Sequence, residues 1–231
     1  IIIQTDNITL DCSGATLSGS NFTGFGILNN GHHNVTVKNC NISKYYYALR
    51  SENSNSVTIQ NNNLSGNRLI PNGDFFVNIN QGPEITDSAH LGGGIYLRNS
   101  SGSNITGNTL INQQNGIDLY SVTNTTVASN NASDNAGWGI HLYSSTSNTI
   151  SGNTADRVTR NCFGGPGCDS AGFLLVWNSH SNQITNNSFK HGAEGFFIGN
   201  EGGFPSNNNY VAGNDASYSV IIEIIFFKGS L

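Results

Sequence analysis

The feature that most constrains this chain is a short motif that returns along nearly its whole length: an apolar residue among Thr, Ser or Val, followed by Asn. It reads Val35-Thr-Val-Lys-Asn-Cys40, Val57-Thr-Ile-Gln-Asn-Asn62, Asn104-Ile-Thr-Gly-Asn108, Thr126-Val-Ala-Ser-Asn130, Thr149-Ile-Ser-Gly-Asn153, Gln183-Ile-Thr-Asn-Asn187 and Tyr210-Val-Ala-Gly-Asn214. The central apolar residues Val37, Ile59, Ile105, Val127, Ile150, Ile184 and Val211 are 22, 46, 22, 23, 34 and 27 residues apart. A unit this short cannot bury its own apolar side, so copies must stack into a continuous core. The intervals of 46 and 34 read as coils carrying insertions.

A second signature precedes each motif: Gly26-Ile-Leu, Ala48-Leu-Arg, Gly94-Ile-Tyr-Leu, Gly116-Ile-Asp-Leu, Gly139-Ile-His-Leu, Gly172-Phe-Leu-Leu and Gly195-Phe-Phe-Ile. Side chains alternate across a strand, so the constantly apolar Ile27, Leu49, Ile95, Ile117, Ile140, Phe173 and Phe196 face the core. The Asn column Asn62, Asn108, Asn130, Asn153, Asn187 and Asn214, headed by Cys40, falls at a tight turn. There Asn accepts left-handed backbone and bonds to its copy about 4.8 Å along the axis. The prediction is an all-β parallel solenoid of about nine coils of about 22 residues, one domain over 1–231, almost without helix. Loop insertions are expected at 68–93 and 157–171.

The hydrophobic fraction of 36% fills a narrow core, which suits an elongated body. With 9 Lys and Arg and a net charge of -5, no basic field exists for nucleic acid. No apolar run approaches a membrane span, and Ile1 is no initiator Met, so a removed signal or a longer chain is expected upstream. The even cysteine count suits an oxidising location, secreted, on the cell surface or periplasmic. Cys162 and Cys168 bracket a short loop and are expected to be bonded; Cys12 and Cys40, near one coil apart, are either bridged or two buried thiols. Asn-x-Ser/Thr triplets such as Asn99, Asn104 and Asn124 make a glycoprotein where the source organism modifies them.

The run Ile8-Thr-Leu-Asp-Cys-Ser-Gly-Ala-Thr-Leu17, followed by Asn34-Val-Thr-Val-Lys-Asn-Cys40, resembles the right-handed parallel β-helix proteins. Among these are the periplasmic copper-accessory protein of nitrous oxide reduction and the carbohydrate-binding and sugar-hydrolase solenoids. The resemblance implies a right-handed coil; it leaves activity open, because that fold carries lyases, epimerases, hydrolases, adhesins and inert surface proteins.

Two outward columns follow from the alternation: Leu28, Arg50, Tyr96, Asp118, His141, Leu174, Phe197, and two residues on, Asn30, Glu52, Arg98, Tyr120, Tyr143, Val176, Gly199. Their middle gathers much of the chain's titratable chemistry. Both insertions enter ahead of a Gly-initiated strand and should wall a groove with Asp118 and His141 on its floor and Trp177 beside the second loop. A carboxylate next to an imidazole suits general acid–base catalysis, or is a surface pair on a sheet. Asp118, His141, Tyr96 and Arg50 are the candidate catalytic residues, with Glu52, Arg98, Tyr120, Tyr143 and Trp177 as substrate-binding residues. The tyrosines act as acid or base and stacking platforms, or are β-favoured ladder residues. Arg50 and Arg98 neutralise a sugar carboxylate, or pair with Glu52. Gly-Ile-Asp-Leu-Tyr and Gly-Ile-His-Leu-Tyr also resemble the aromatic-Gly-x-Asp-x-His motif of alginate epimerases, although Asp118 and His141 come from different coils.

Hydrolysis by two carboxylates would need Asp118 with Glu52, Asp87 or Asp169. His32, His33, His90, His141, His180 and His191 lack spaced partners, so no metal and no cofactor are expected. The apolar run Val220-Ile-Ile-Glu-Ile-Ile-Phe-Phe227 suits subunit contact. The expected function is a carbohydrate-active protein that binds and cleaves or modifies a polysaccharide; the alternative is a non-catalytic surface, adhesive or filament-forming solenoid.

Overall fold

In the computed structural model, residues 1–67, 92–159, 161–162, 165–166, 170–199 and 204–226 are described. They form a parallel β-solenoid of about seven turns with about 23 residues per turn. One sheet of eight strands contains Phe25–Asn30, Tyr47–Glu52, Gly93–Ser101, Asn115–Thr123, Trp138–Tyr143, Ala171–Val176, Glu194–Ile198 and Ile222–Phe226. A second contains Thr9–Asp11, Thr36–Lys38, Thr58–Gln60, Asn104–Thr106, Thr126–Ala128, Thr149–Ser151, Gln183–Thr185 and Tyr210–Ala212. A third side is a line of single bridges from Asn41 through Asn63, Thr109, Asn131, Thr154 and Ser188 to Asp215. Among the described residues there is no helix.

Every predicted core position of the second signature is buried, and the register pairs Ile27, Leu49, Ile95, Ile117, Ile140, Phe173 and Phe196 in order. The expected nine coils are about seven because insertions lengthen the chain without advancing it. Ile59 pairs directly with Ile105 across 46 residues, and Ile150 with Ile184 across 34, one rung each.

The Asn ladder is continuous. Each Nδ2 donates to the Oδ1 of the next, from Asn62 to Asn108, Asn130, Asn153, Asn187 and Asn214, at 2.8–3.0 Å. Each Nδ2 also reaches a backbone carbonyl of an adjoining coil, as Asn108 does to Ile59 at 2.9 Å, so these buried amides are satisfied. The left-handed residue is not the ladder Asn but its predecessor: Asn61 (φ 53°), Ser129 (φ 55°) and Asn186 (φ 55°) turn the chain so that the next side chain points inward. At the head, Cys40 N donates to Asn62 Oδ1, and Cys40 is bonded to Cys12. The expected Cys162–Cys168 bond involves Cys168, outside the described residues. Residues 68–91 of the first insertion and 160, 163–164 and 167–169 of the second also lie outside them, as does Phe227.

Candidate functional site

The predicted register is the observed one: Asp118 pairs with Tyr96 on one side and His141 on the other, and Tyr120 with Arg98 and Tyr143. Parallel pairing without a slip sets the two outward columns in line, because a one-residue slip would send every side chain to the other face. The outer face is not an ordinary polar one. Tyr46, Tyr47, Tyr96 and Tyr120, with Phe25 and Tyr143 against them, form one apolar cluster. Trp138, Ala171, Leu174 and Val176 form another with Tyr143, Trp177 and Phe197. Asp118 and His141 lie between the two clusters, 0% and 1% exposed.

Burial obliges the carboxylate to be hydrogen-bonded, and it is. Tyr47 Oη donates to Asp118 Oδ2 at 2.7 Å, and Asn115 Nδ2 lies 3.1 and 3.2 Å from the two carboxylate oxygens. His141 Nδ1 is 3.2 Å from Asp118 Oδ1. With a carboxylate oxygen as its partner, Nδ1 is the donor of this contact, and in the neutral ring that tautomer leaves the lone pair on Nε2. The ring's contacts with Asp118 and Tyr120 are both made at Nδ1. Tyr120 Oη stands 3.5 Å from Nδ1, at the limit of a hydrogen bond. Burial first, and the Asp118 charge second, push the Tyr47 and Tyr120 hydroxyls well above the ordinary phenol range. Both therefore stay protonated at neutral pH, and burial holds Tyr96 protonated in the same way.

Tyr47 and Asn115 are site residues that the outward columns do not contain. Tyr47 is two coils from Asp118 and reaches it because Gly93 lies between: a Cβ on Gly93 would stand 2.3 Å from Tyr47 Cε1. The signal that could have found them is the column Tyr47, Gly93, Asn115, where a bulky ring, a glycine and an amide share one register.

The other candidates are divided. Arg50 donates to Glu52 Oε1 from Nε and Nη2 at 2.9 and 2.7 Å, and its guanidinium lies over the Phe25 and Tyr96 rings. Arg98 is half-buried and, among the described residues, has no ion pair. The aromatic side chains form a file along the axis, Tyr47, Tyr96, Tyr120, Tyr143, Trp177 and Phe204, with neighbouring centroids 4.8–5.4 Å apart. In the stacked Tyr143, Trp177 and Phe204 the ring faces are turned to one another, so Trp177 has neighbours on both sides rather than a bare face for a sugar. Of the carboxylates considered for hydrolysis, Asp87 and Asp169 lie outside the described residues. Among those residues no three His, Cys, Asp or Glu side chains converge as metal ligands.

No curated protein matches this sequence. Among solved structures, the periplasmic alginate epimerase AlgG is similar with a TM-score of 0.56 at 16% identity, over 87% of this chain and 46% of that one. DFA-IIIase from Arthrobacter chlorophenolicus A6, without its lid, gives 0.59 at 15% identity, over 90% and 48%. The chain thus spans about half the length of either, and likeness at these identities concerns the fold. The family model described as a right handed beta helix region matches residues 6–166 and 89–223. With a parallel solenoid seen coil by coil over the same span, the chain belongs to the right-handed β-helix family.

Proposed function

We propose that this protein is secreted, displayed at the cell surface or periplasmic, and that it binds and cleaves or modifies a polysaccharide at Asp118 and His141. The observation that carries the reading is the hydrogen-bonded chain Tyr47–Asp118–His141, which fixes the imidazole tautomer and leaves Nε2 to accept a proton. The same step begins a lyase reaction or an epimerisation, where the proton comes from carbon. In a glycoside hydrolase it would come from water. Arg98 supplies positive charge two residues along the Tyr96 strand. The Cys12–Cys40 disulfide supports an oxidising compartment. Two solenoids of similar fold, an alginate epimerase and a DFA-IIIase, support the substrate class by analogy.

The burial of the dyad and the Arg50–Glu52 pair favour the second reading, a non-catalytic surface or filament protein. Tyr218, Val220 and Ile221 are 72%, 60% and 45% exposed, next to the last described strand, which suits self-association there.

The test is turnover of plant, algal and bacterial polysaccharides, following reducing ends and the ultraviolet absorbance of unsaturated uronates. Asp118→Asn and His141→Ala should each lower the rate by about 10²-fold or more while the protein stays folded. Silence of the wild type across the panel moves the assignment to the surface protein.

A further inference from the structure

Away from the dyad, the third side of the solenoid carries a recess of about 290 Å³ lined by Thr16, Asn41, Ile42, Ser43, Asn63 and Ser65. Three successive rungs build it. Thr16 pairs with Asn41 and Ser18 with Ser43, and Asn41 bridges to Asn63. Alternation decides which side chains reach it. Ile42 and Leu64 turn into the core, 1% and 0% exposed, so Asn41, Ser43, Asn63 and Ser65 face outward. Thr16 and Asn63 are exposed and Asn41, Ser43 and Ser65 half-buried, so the recess opens to solvent. Its volume stands at the lower end of the range of small-molecule sites, about 300–1,000 Å³.

The lining is polar and carries no charged side chain. Its backbone is already in use: the N–H groups of Asn41, Ile42, Asn63 and Leu64 donate to the carbonyls of Ala15, Asn63, Cys40 and Thr109 at 2.8–3.0 Å. A peptide adding itself as a strand finds no open edge here, so recognition falls to the side chains. Two of these are held in place beforehand. Asn41 Nδ2 donates to Gly14 O at 2.7 Å, which leaves Oδ1 to accept, and Ser65 Oγ accepts from Ile111 N at 3.1 Å. Among the described residues the Asn63 amide and the Thr16 and Ser43 hydroxyls make no hydrogen bond. Other outward amides behave differently: Asn34 donates to Asn7, Asn53 to Asn30 and Asn99 to Asn53, at 2.9–3.1 Å from coil to coil.

We propose that this recess is a second binding site, separate from the dyad, for an uncharged sugar of a glycan. An anion would find no guanidinium or ammonium on the lining, and a cation no carboxylate. A sugar hydroxyl is both donor and acceptor, and so are the hydroxyls of Thr16 and Ser43; the Asn63 amide adds two donors and a carbonyl acceptor. Groups fixed on the rungs of a solenoid lose little freedom when a ligand arrives, which favours binding even in a small site. The site does not rest on turnover at His141. In an enzyme it holds the polysaccharide to a second face of the solenoid, and in a non-catalytic surface protein it is the glycan contact itself.

The experiment is titration of isotope-labelled protein, followed by nuclear magnetic resonance, with oligomers of cellulose, xylan, mannan and galactan and with oligogalacturonate. The protein is made in a bacterium without N-glycosylation, so that Asn41 and Asn63 are unmodified. At least one neutral oligomer is expected to bind with a dissociation constant of about 1 mM or tighter, shifting the Ser43 and Asn63 signals. Asn63→Ala should weaken this binding by about ten-fold or more, because the amide can make several hydrogen bonds to one sugar. Ser43→Trp, which puts a ring into the recess, should abolish it. Both side chains face outward, so the unfolding midpoints measured alongside should be unchanged. Asp118→Asn should leave the binding as it is. Silence of all neutral oligomers overturns the site, as does binding indifferent to Asn63→Ala or oligogalacturonate bound as tightly as the neutral chains. Binding lost in Asp118→Asn and kept in Asn63→Ala puts the sugar at the dyad and overturns the site as well. Asn63-dependent binding by a protein that turns nothing over leaves the recess standing without catalysis.

Discussion

Replacing Tyr47 by Phe isolates one buried hydrogen bond, because the ring keeps its contacts with Tyr46 and Tyr96 and only the oxygen is lost. The bond is 2.7 Å long and ends on a carboxylate that is 0% exposed. Hydrogen bonds to charged groups contribute about 1.5–3 kcal/mol, and Asp118 keeps Asn115 and His141, so a loss of about 2 kcal/mol is expected. For a chain of this size that lowers the unfolding midpoint by about 4–8 °C. The pH dependence gives a second, independent mark. In the unfolded chain Tyr47 ionises near pH 10, whereas burial and the Asp118 charge keep the folded hydroxyl protonated well above that. The folded state then binds the extra proton, so this contribution is fully present below about pH 10 and falls by up to about 1.4 kcal/mol per pH unit above it. The variant has no such group, and the shifted Tyr96 and Tyr120 are common to both proteins. The wild-type advantage should therefore be flat to about pH 9 and gone near pH 11.5. Urea unfolding followed by circular dichroism from pH 7 to 11.5 measures it. A variant within about 0.5 kcal/mol of wild type at pH 7, or a difference that does not shrink in alkali, refutes the reasoning.

Gly93→Ala should cost at least as much, about 2–3 kcal/mol, since the new Cβ drives the Tyr47 ring off Asp118; the added effect of Tyr47→Phe in that background should be near zero in a double-mutant cycle. Asn108→Ala removes the acceptor of both Asn62 N and Asn62 Nδ2 and should cost about 3 kcal/mol or more by chemical unfolding. Opening the Cys12–Cys40 bond, which closes a 28-residue separation, should lower stability by up to about 3.5 kcal/mol in the presence of reductant. If reductant changes nothing, the first coil is held by its backbone pairing alone. Arg98→Ala should weaken binding of an acidic oligomer more than Arg50→Ala, because Arg50 is already committed to Glu52.

Much of the site is legible in the amino-acid order because a parallel solenoid turns sequence register into spatial register. Once Ile117 and Ile140 are known to share the core, Asp118 and His141 must be neighbours outside it. What register could not supply is the depth of that outer face. Alternation marks a residue as outward, and an outward residue on an isolated sheet would be exposed; here Asp118 and His141 are buried between two aromatic clusters. Nor could it supply contacts that skip a coil. Tyr47 meets Asp118 across Gly93, and such a contact depends on a long side chain lying along the axis over a position without one.

The periodic apolar and Asn positions by themselves therefore determined the coil, its core and its ladder, because each coil repeats the same local choice and is held only by its neighbours. The number of turns, the pairing of Arg50 with Glu52, and the turning of the Tyr143, Trp177 and Phe204 faces toward one another were decided by the tertiary structure alone. These depend on which side chains meet across coils, and on where a glycine leaves room. A one-dimensional repeat does not encode those distances.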